Sequence, residues 1–143
     1  MDKRYKVFHI TYKVYPDLEL MLKEKVFEYE REHNLVAVDF SVMYDKENDK
    51  HPQMRDAAVV VEFTDSPEKS TSCSRFKTFR ISYKMYSDFE AQLRLKIISF
   101  EEEYDLSRCG IVSFGVLSDE KEDKNDSLWR TIVLVMFKEE VTL

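Results

Sequence analysis

The chain opens with an alternation of apolar and polar residues, which then changes to a helical period. Phe8, Ile10 and Tyr12 fall on one side and are separated by polar residues. A period of two with β-branched and aromatic side chains predicts a strand with one buried face. From Leu18 to Tyr29 the apolar residues recur at helical spacing, which predicts an amphipathic helix. The first two elements are therefore a strand and a helix.

The same pattern returns 71 residues further along the chain. Arg4–Tyr15 is repeated as Arg75–Tyr86, and 13 of 31 positions are identical between Tyr5–Leu35 and Phe76–Leu106. After an insertion of three residues the offset becomes 74. Such a tandem duplication predicts two like modules packed about a pseudo-two-fold axis.

Each module continues with two further apolar segments. Val36–Met43 and Ile111–Leu117 come first, followed by Ala57–Thr64 and Thr131–Lys138. The second pair is apolar at nearly every position, as is typical of strands with both faces covered. We therefore expect these last strands at the centres of their sheets.

Local signals predict where the helices begin and end. Pro16-Asp17 suits the first turn of a helix, and Ser87 followed by Glu90 predicts a capping box at the start of the second helix. The predicted ends of the two helices are near Asn34 and Asp105.

Three polar segments are predicted to lie outside the regular elements. Tyr44–Asp56 and Ser118–Arg130 are long and charged, which predicts solvated, mobile hairpin loops. Asp65–Ser74 is rich in small polar residues and is the expected linker between the repeats.

The predicted fold is α+β, with two tandem βαββ repeats that contain six strands and two helices. Residues 1–65 form the first repeat, 66–75 the linker and 76–143 the second repeat. A repeat of about 70 residues is marginal alone, so both are expected to form one compact pseudo-dimeric domain.

Composition and charge narrow the classes of partner. The net charge is −6 and is spread over both repeats, whereas nucleic-acid binders concentrate Lys and Arg, so we expect no nucleic-acid partner. No apolar run approaches 18 residues, so no membrane association is expected. Cys73 and Cys109 occupy non-equivalent positions, which suits a reducing compartment and a cytoplasmic protein.

The residues offer little for catalysis or for metal binding. His9, His33 and His51 lack the spacing of metal ligands. With only Gly110 and Gly115 there is no glycine-rich phosphate loop, and no Gly-x-Ser-x-Gly motif occurs. We therefore predict no catalytic residue, no metal and no cofactor.

The candidate binding residues lie where each first strand turns into its helix. They are Tyr12, Lys13 and Tyr15 in the first repeat and Tyr83, Lys84 and Tyr86 in the second. Two such sets related by a dyad would clamp an anionic, aromatic ligand such as a nucleotide, through stacking and charge. The alternative is structural, with the tyrosines completing the core and the helix entrance.

Two further candidates have no like counterpart in the other repeat. Arg80 stands where the first repeat has His9, and Trp129 stands where it has Arg55. An unmatched tryptophan is a candidate contact for a protein partner, because large aromatic side chains often dominate interface energies.

Each repeat resembles the very small strand–helix–strand–strand proteins of Bacillus sporulation sets and their phages. The resemblance lies in Val7-Phe8, Asp17-Leu18-Glu19, a Val-x-Asp-Phe-Ser-like strand at Val38–Ser41 and the Ala-rich apolar strand Ala57–Phe63. It implies a small non-enzymatic protein of bacterial or phage origin, and no binding residue is carried over.

Three functions remain as expectations. The first is a regulatory or inhibitory factor, of phage or bacterial origin, that docks on a protein partner. The second is a protein that sequesters a small anionic, nucleotide-like signal near the dyad. The third is an isomerase- or lyase-like enzyme with a cavity between the repeats. A homo-oligomer is compatible with each of them.

Overall fold

The structure, a computed structural model, describes residues 4–65, 72–104, 111–121 and 127–140. Within these ranges the chain forms six strands and two helices, which confirms the predicted α+β class with two βαββ repeats. The elements are β1 (Arg4–Tyr12), α1 (Tyr15–His33), β2 (Leu35–Glu47), β3 (Arg55–Asp65), β4 (Ser72–Tyr83), α2 (Tyr86–Glu103), β5 (Ile111–Lys121) and β6 (Trp129–Glu140).

Each repeat forms its own antiparallel sheet of three strands. The strand orders are β1-β3-β2 and β4-β6-β5, so the apolar strands β3 and β6 are central as predicted. The registers of the two sheets are equivalent, since Val7 pairs with Val60 and Thr78 pairs with Leu134.

The helix boundaries follow the prediction except at the start of α2, since α1 ends at His33 and α2 at Glu103. Helix α1 has Pro16 in its first turn and is capped at its end by Asn34, whose left-handed φ of 53° lets its N–H bond the Glu30 carbonyl. The predicted capping box of α2 is wrong, because the helix already begins at Tyr86 and no side chain caps it. Ser87 is thus inside the helix, and the Met85 carbonyl accepts the first helical bonds. Asp105 lies outside the described residues.

Both ends of each predicted loop belong to strands. Strand β2 extends to Glu47 and β3 begins at Arg55, so a turn of seven residues, 48–54, replaces the long loop. Asn48 closes this turn by accepting backbone hydrogen bonds from Lys50 and His51. In the second repeat β5 and β6 include 118–121 and 129–130, and 122–126 lie outside the described residues. These polar segments form strands because their backbone groups pair with the neighbouring central strand, and tertiary context of this kind overrides local composition.

The linker is also shorter than predicted. Strand β4 begins at Ser72, so the end of the expected 66–75 linker is paired with β6. The remainder, 66–71, and Cys109 lie outside the described residues. Among the described residues, neither helix is long and apolar enough to cross a membrane.

Helix α1 is packed between the two sheets, while α2 covers only its own sheet. Strand β6 therefore has two buried faces. On one face, Ile132, Leu134 and Met136 join α1 and the first sheet in one core. Helix α1 contributes Leu18, Leu22 and Val26 to it. The opposite face of β6 packs on α2 in a second core that contains Val133, Val135 and Phe137. The layers follow in the order first sheet, α1, second sheet, α2.

Most of the contacts between the repeats are not reciprocal, unlike those of the expected two-fold packing. An exception is Ser113, whose hydroxyl donates to its equivalent Asp39 in the first repeat. The first repeat makes the non-reciprocal contacts through a surface that contains Glu19, Phe40 and Val42, which we call the front face. The second repeat makes them through a surface that contains Phe76, Thr78 and Gly115, which we call the back face. Glu19 bonds Thr78, the rings of Phe40 and Phe76 are 5.8 Å apart, and β2 approaches β5 closely at Gly115.

The asymmetry follows from the composition of the two back faces. The second repeat presents Phe76, Ile132, Leu134 and Met136, and all four are buried. The corresponding residues of the first repeat are Tyr5, Ala58, Val60 and Glu62. Because the second back face is the more apolar of the two, its burial against α1 is the more favourable.

Candidate functional site

Tyr12 and Tyr15, two predicted binding residues, lie beside a buried carboxylate. Tyr12 is buried and donates its hydroxyl to Asp45 Oδ1 at 2.6 Å. Arg55 Nε lies 3.3 Å from the same oxygen, and its NH2 donates to the Asp45 carbonyl at 3.2 Å. Asp45 Oδ2 has no hydrogen-bond partner among the described residues. The side chain of Tyr12 thus links β1 to β2 across the central strand β3 and, being buried, is not open to a ligand.

The second repeat contains the same tyrosine–aspartate pair with a different third member. Tyr83 donates to Asp119 Oδ1 at 3.1 Å, and Thr131 Oγ1 donates to the same oxygen at 2.7 Å. Trp129, at the position of Arg55, is partly exposed, and Lys121 Nζ lies 5.9 Å from the centre of its ring. The retention of Asp45 and Asp119 at an offset of 74 is a sequence signal that identifies this pair.

Burial shapes the ionisation of these tyrosines. Burial, and then the hydrogen bond to Asp45, raise the pKa of Tyr12 far above its ordinary value. Burial and the charge of Asp45 also raise the pKa of Tyr15, against smaller opposing effects of Arg55, Ser118 and Arg130. For Tyr83, the hydroxyl contact with Thr131 lowers the pKa, but burial and Asp119 together raise it above the ordinary value.

The predicted binding residues form two separate groups and not one clamp. The rings of Tyr12 and Tyr15 are 5.8 Å apart, and those of Tyr83 and Tyr86 are 6.0 Å apart. Tyr15 is half-buried near Ser118 of the other repeat, whereas Tyr86 is largely exposed. The remaining candidates, all at exposed positions, are Lys13, Lys84 and Arg80.

A groove lies between α1 and α2, with β4 as its floor. Its volume is about 710 Å³. Phe76 and Phe79 line its floor, while Leu20 of α1 and Leu95 of α2 line its walls and are exposed. Because one wall comes from each repeat, the packing of the two repeats creates the groove.

Charged side chains surround this apolar surface. Four cationic and two acidic side chains line the groove, namely Lys23, Arg75, Lys77, Lys96, Glu19 and Glu103. The Arg75 guanidinium lies 4.0 Å from the centre of the Tyr104 ring and 5.2 Å from that of Phe100. Lys77 Nζ is 3.9 Å from Glu19, whose carboxylate also accepts hydrogen bonds from Thr78. The groove therefore has cationic edges in a chain of negative net charge.

The sequence did not single out these groove residues. Lys77 and Lys96 match Lys6 and Lys25 of the first repeat, so their retention was visible. What the repeat pattern alone did not reveal is that α1 of one repeat stands beside β4 of the other.

A second cleft in the first repeat corresponds to the groove but lacks one wall. Its volume is about 400 Å³, and it lies between β1 and α1. Its lining includes Lys6, Phe8, Lys25, Glu28 and Tyr29, which are equivalent to Lys77, Phe79, Lys96, Ser99 and Phe100 of the groove. Among the described residues, those that line this cleft come from β1 and from one helix, α1, so it is the shallower of the two.

No group of three or more His, Cys, Asp or Glu side chains within the described ranges could hold a metal ion. No protein-family model, no curated protein and no solved structure matches the chain. The fold and the groove thus define an α+β protein of two βαββ repeats with a cation-edged groove at their junction.

Proposed function

We propose that the chain is a non-enzymatic binding protein that docks an acidic, partly apolar segment of a protein partner in the α1–α2 groove. The observation that carries the proposal is the combination of an apolar floor with four cationic side chains around it. A regulatory or inhibitory role would follow from covering that segment of the partner.

The apolar part of the groove supplies the anchor. Leu20 is 57% exposed and Leu95 is 64% exposed, and they stand on facing helices above Phe76 and Phe79. Exposed apolar side chains around a concave surface are typical of protein-interaction sites. Two helical walls suit an amphipathic helix or an extended segment that inserts large apolar side chains between them.

The charges define the chemistry of the partner. Lys23 and Lys96 stand on opposite walls, and Arg75 and Lys77 lie on β4 between them. Acidic side chains flanking the apolar anchors would meet these cations, and electrostatic complementarity favours both specificity and the rate of encounter. Among the described residues that line the groove there is no His and no Cys, so the lining suits binding better than nucleophilic catalysis.

Fluorescence anisotropy with designed peptides tests the proposal. The probe is a labelled amphipathic peptide of Glu and Leu, compared with a scrambled peptide and with a Lys/Leu peptide of reversed charge. We expect saturable binding of the Glu/Leu peptide only, weakened at least about tenfold by Lys77→Glu or Leu95→Asp and weakened by salt. Lys6→Glu, at the equivalent position of the shallower cleft, is the matched control.

The same titration separates the proposal from its alternatives. Absence of peptide binding, or equal binding by the Lys77→Glu and Lys6→Glu variants, would overturn docking in the groove. Saturable binding of a nucleotide such as ATP in place of the peptide would support the small anionic ligand expected as the second function. Loss of that nucleotide binding in Lys13→Ala and Lys84→Ala would assign it to the predicted clamp.

A further inference from the structure

We propose that the chain associates with further copies of itself head to tail. In this arrangement the front face of the second repeat docks on the back face of the first repeat of another copy. The inference does not depend on the proposed function. It rests on the contact between the repeats, because a duplicated chain carries that interface twice and uses it once.

The unused front face is apolar and exposed. Phe40 is 4% exposed where it packs against the second repeat, but its equivalent Phe114 is 55% exposed. Val42 is likewise partly buried, while its equivalent Val116 is exposed. Phe114 and Val116 lie on the same strand as Gly115, and apolar side chains in this arrangement are typical of an interface lacking its partner.

The unused back face is on the opposite side of the molecule, on the outer side of the first sheet. Phe76 is 3% exposed, whereas its equivalent Tyr5 is 63% exposed and bonds Glu62 through its hydroxyl. Val7, the equivalent of Thr78, is also exposed. Ser41, at the position of Gly115, is exposed and small, so a neighbouring strand can approach it.

The polar contact of the internal interface can be repeated between copies. Glu19 accepts a hydrogen bond from the backbone N–H of Thr78, on the edge strand β4. Val7 lies on the edge strand β1 in the equivalent register, so its N–H points away from the sheet in the same way. Glu90, the exposed equivalent of Glu19, would accept that bond from a second copy, close to Lys6.

The shallower cleft gives an independent reason for a second copy. The complete groove has a wall formed by Pro16, Glu19, Leu20 and Lys23 of α1. The cleft of the first repeat lacks this wall. The equivalent residues on α2 are Ser87, Glu90, Ala91 and Arg94, and all four are exposed. Docking of α2 from another copy would place them beside β1 and complete the cleft. Glu90 and Arg94 would then take the positions that Glu19 and Lys23 have in the groove.

The geometry determines the kind of assembly. The internal contact joins different faces of the two repeats, so its repetition between molecules is heterologous and produces an open chain or a ring. The contact between copies is weaker than the internal one, because Ala58 and Glu62 replace Ile132 and Met136. It also lacks the high effective concentration, about 1 mM, that a linker provides within one chain.

Sedimentation velocity on blocked variants tests the inference. Val116→Lys blocks the free front face and Val7→Lys blocks the free back face, and both residues are exposed in the monomer. We expect wild-type protein to show a sedimentation coefficient that rises with concentration up to about 1 mM. Each variant alone should remain a 17.1 kDa monomer, and His51→Lys in the β2–β3 turn should behave as wild type.

Mixing the two variants provides the decisive result. Each variant keeps the face that the other lacks, so an equimolar mixture should form a 1:1 dimer and stop there. A wild-type chain that stays monomeric up to about 1 mM would overturn the inference. So would a dimer that either variant still forms alone, or a mixture that forms no dimer, since these results indicate a different or an isologous interface. Unchanged thermal unfolding of the variants shows that they remain folded.

Discussion

The carboxylate of Glu19 in α1 accepts two hydrogen bonds from Thr78 in β4, from the backbone N–H at 2.6 Å and from the hydroxyl at 2.7 Å. The contact ties the helix of one repeat to the edge strand of the other. A second side-chain hydrogen bond between the repeats runs from Ser113 Oγ to Asp39 Oδ1. The equivalent of Glu19 in the second repeat, Glu90, is exposed.

Replacing Glu19 is therefore expected to cost more than replacing Glu90. Glu19→Ala removes the acceptor for the Thr78 N–H and should lower the free energy of unfolding by about 1–3 kcal/mol. Glu90→Ala should change it by less than about 0.5 kcal/mol in the monomer. Urea denaturation of dilute protein measures both values, and equal losses would contradict the non-reciprocal packing of the repeats.

Close packing at Gly115 predicts a second difference between equivalent positions. A Cβ at Gly115 would lie 3.2 Å from Val42 Cγ2 and 3.3 Å from Phe40 Cε2. Gly115→Val should thus destabilise the protein by about 1–3 kcal/mol through overpacking. Ser41→Val, on the exposed outer face, is the matched control and should stay within about 0.5 kcal/mol of wild type. A tolerated Gly115→Val would show that β2 and β5 are further apart.

The two tyrosine–aspartate pairs should differ in their sensitivity to loss of the hydroxyl. Tyr12→Phe takes a 2.6 Å donor from the buried Asp45 and should lower the free energy of unfolding by about 1–3 kcal/mol. Tyr83→Phe should cost less, about 0.5–1.5 kcal/mol, because Thr131 continues to donate to Asp119. Chemical denaturation of both variants gives the comparison, and a larger loss in Tyr83→Phe would refute it.

Alkaline pH is expected to destabilise the fold through Tyr12 and Tyr15. Their folded-state pKa values are raised, mainly by burial, whereas tyrosine in the unfolded chain ionises near pH 10. Above that pH the unfolded state releases protons that the folded state retains, so the stability present below about pH 10 falls as pH rises. Denaturation between about pH 9 and 11.5 should show this decline, and Tyr12→Phe should make it shallower. An unchanged slope in Tyr12→Phe would exclude Tyr12 as a source.

Much of the fold was predictable because the hydrophobic pattern within each repeat predicts its strands and its helix. The alternation at Phe8–Tyr12 and the helical spacing from Leu18 give the strand and the helix, and the uniformly apolar β3 and β6 indicate central strands. The errors came where local composition was polar. The charged segments around Asp45 and Asp119 are strands, because ladder pairing and the tyrosine hydrogen bonds use residues that otherwise suit a loop.

The candidate site was predictable only in part. The retained Tyr12 and Tyr83 drew attention to the strand-to-helix turns, where their hydroxyls bind aspartates that are also retained. The α1–α2 groove was not predicted, since its walls come from different repeats and no local pattern specifies which surfaces meet. Long-range packing decides which surfaces meet. That packing depends on small differences between the repeats, such as Gly115 in β5 where β2 has Ser41.

The sequence by itself determined the duplication, the βαββ order and the central strands, because hydrophobic periodicity is a local property that reports which face of an element is buried. Only the tertiary structure decided how the repeats pack, because that choice compares whole surfaces. The second sheet offers Phe76, Leu134 and Met136 to α1, whereas the first offers Tyr5, Val60 and Glu62. The greater apolar burial on the second sheet places α1 between the sheets and leaves one copy of each face exposed.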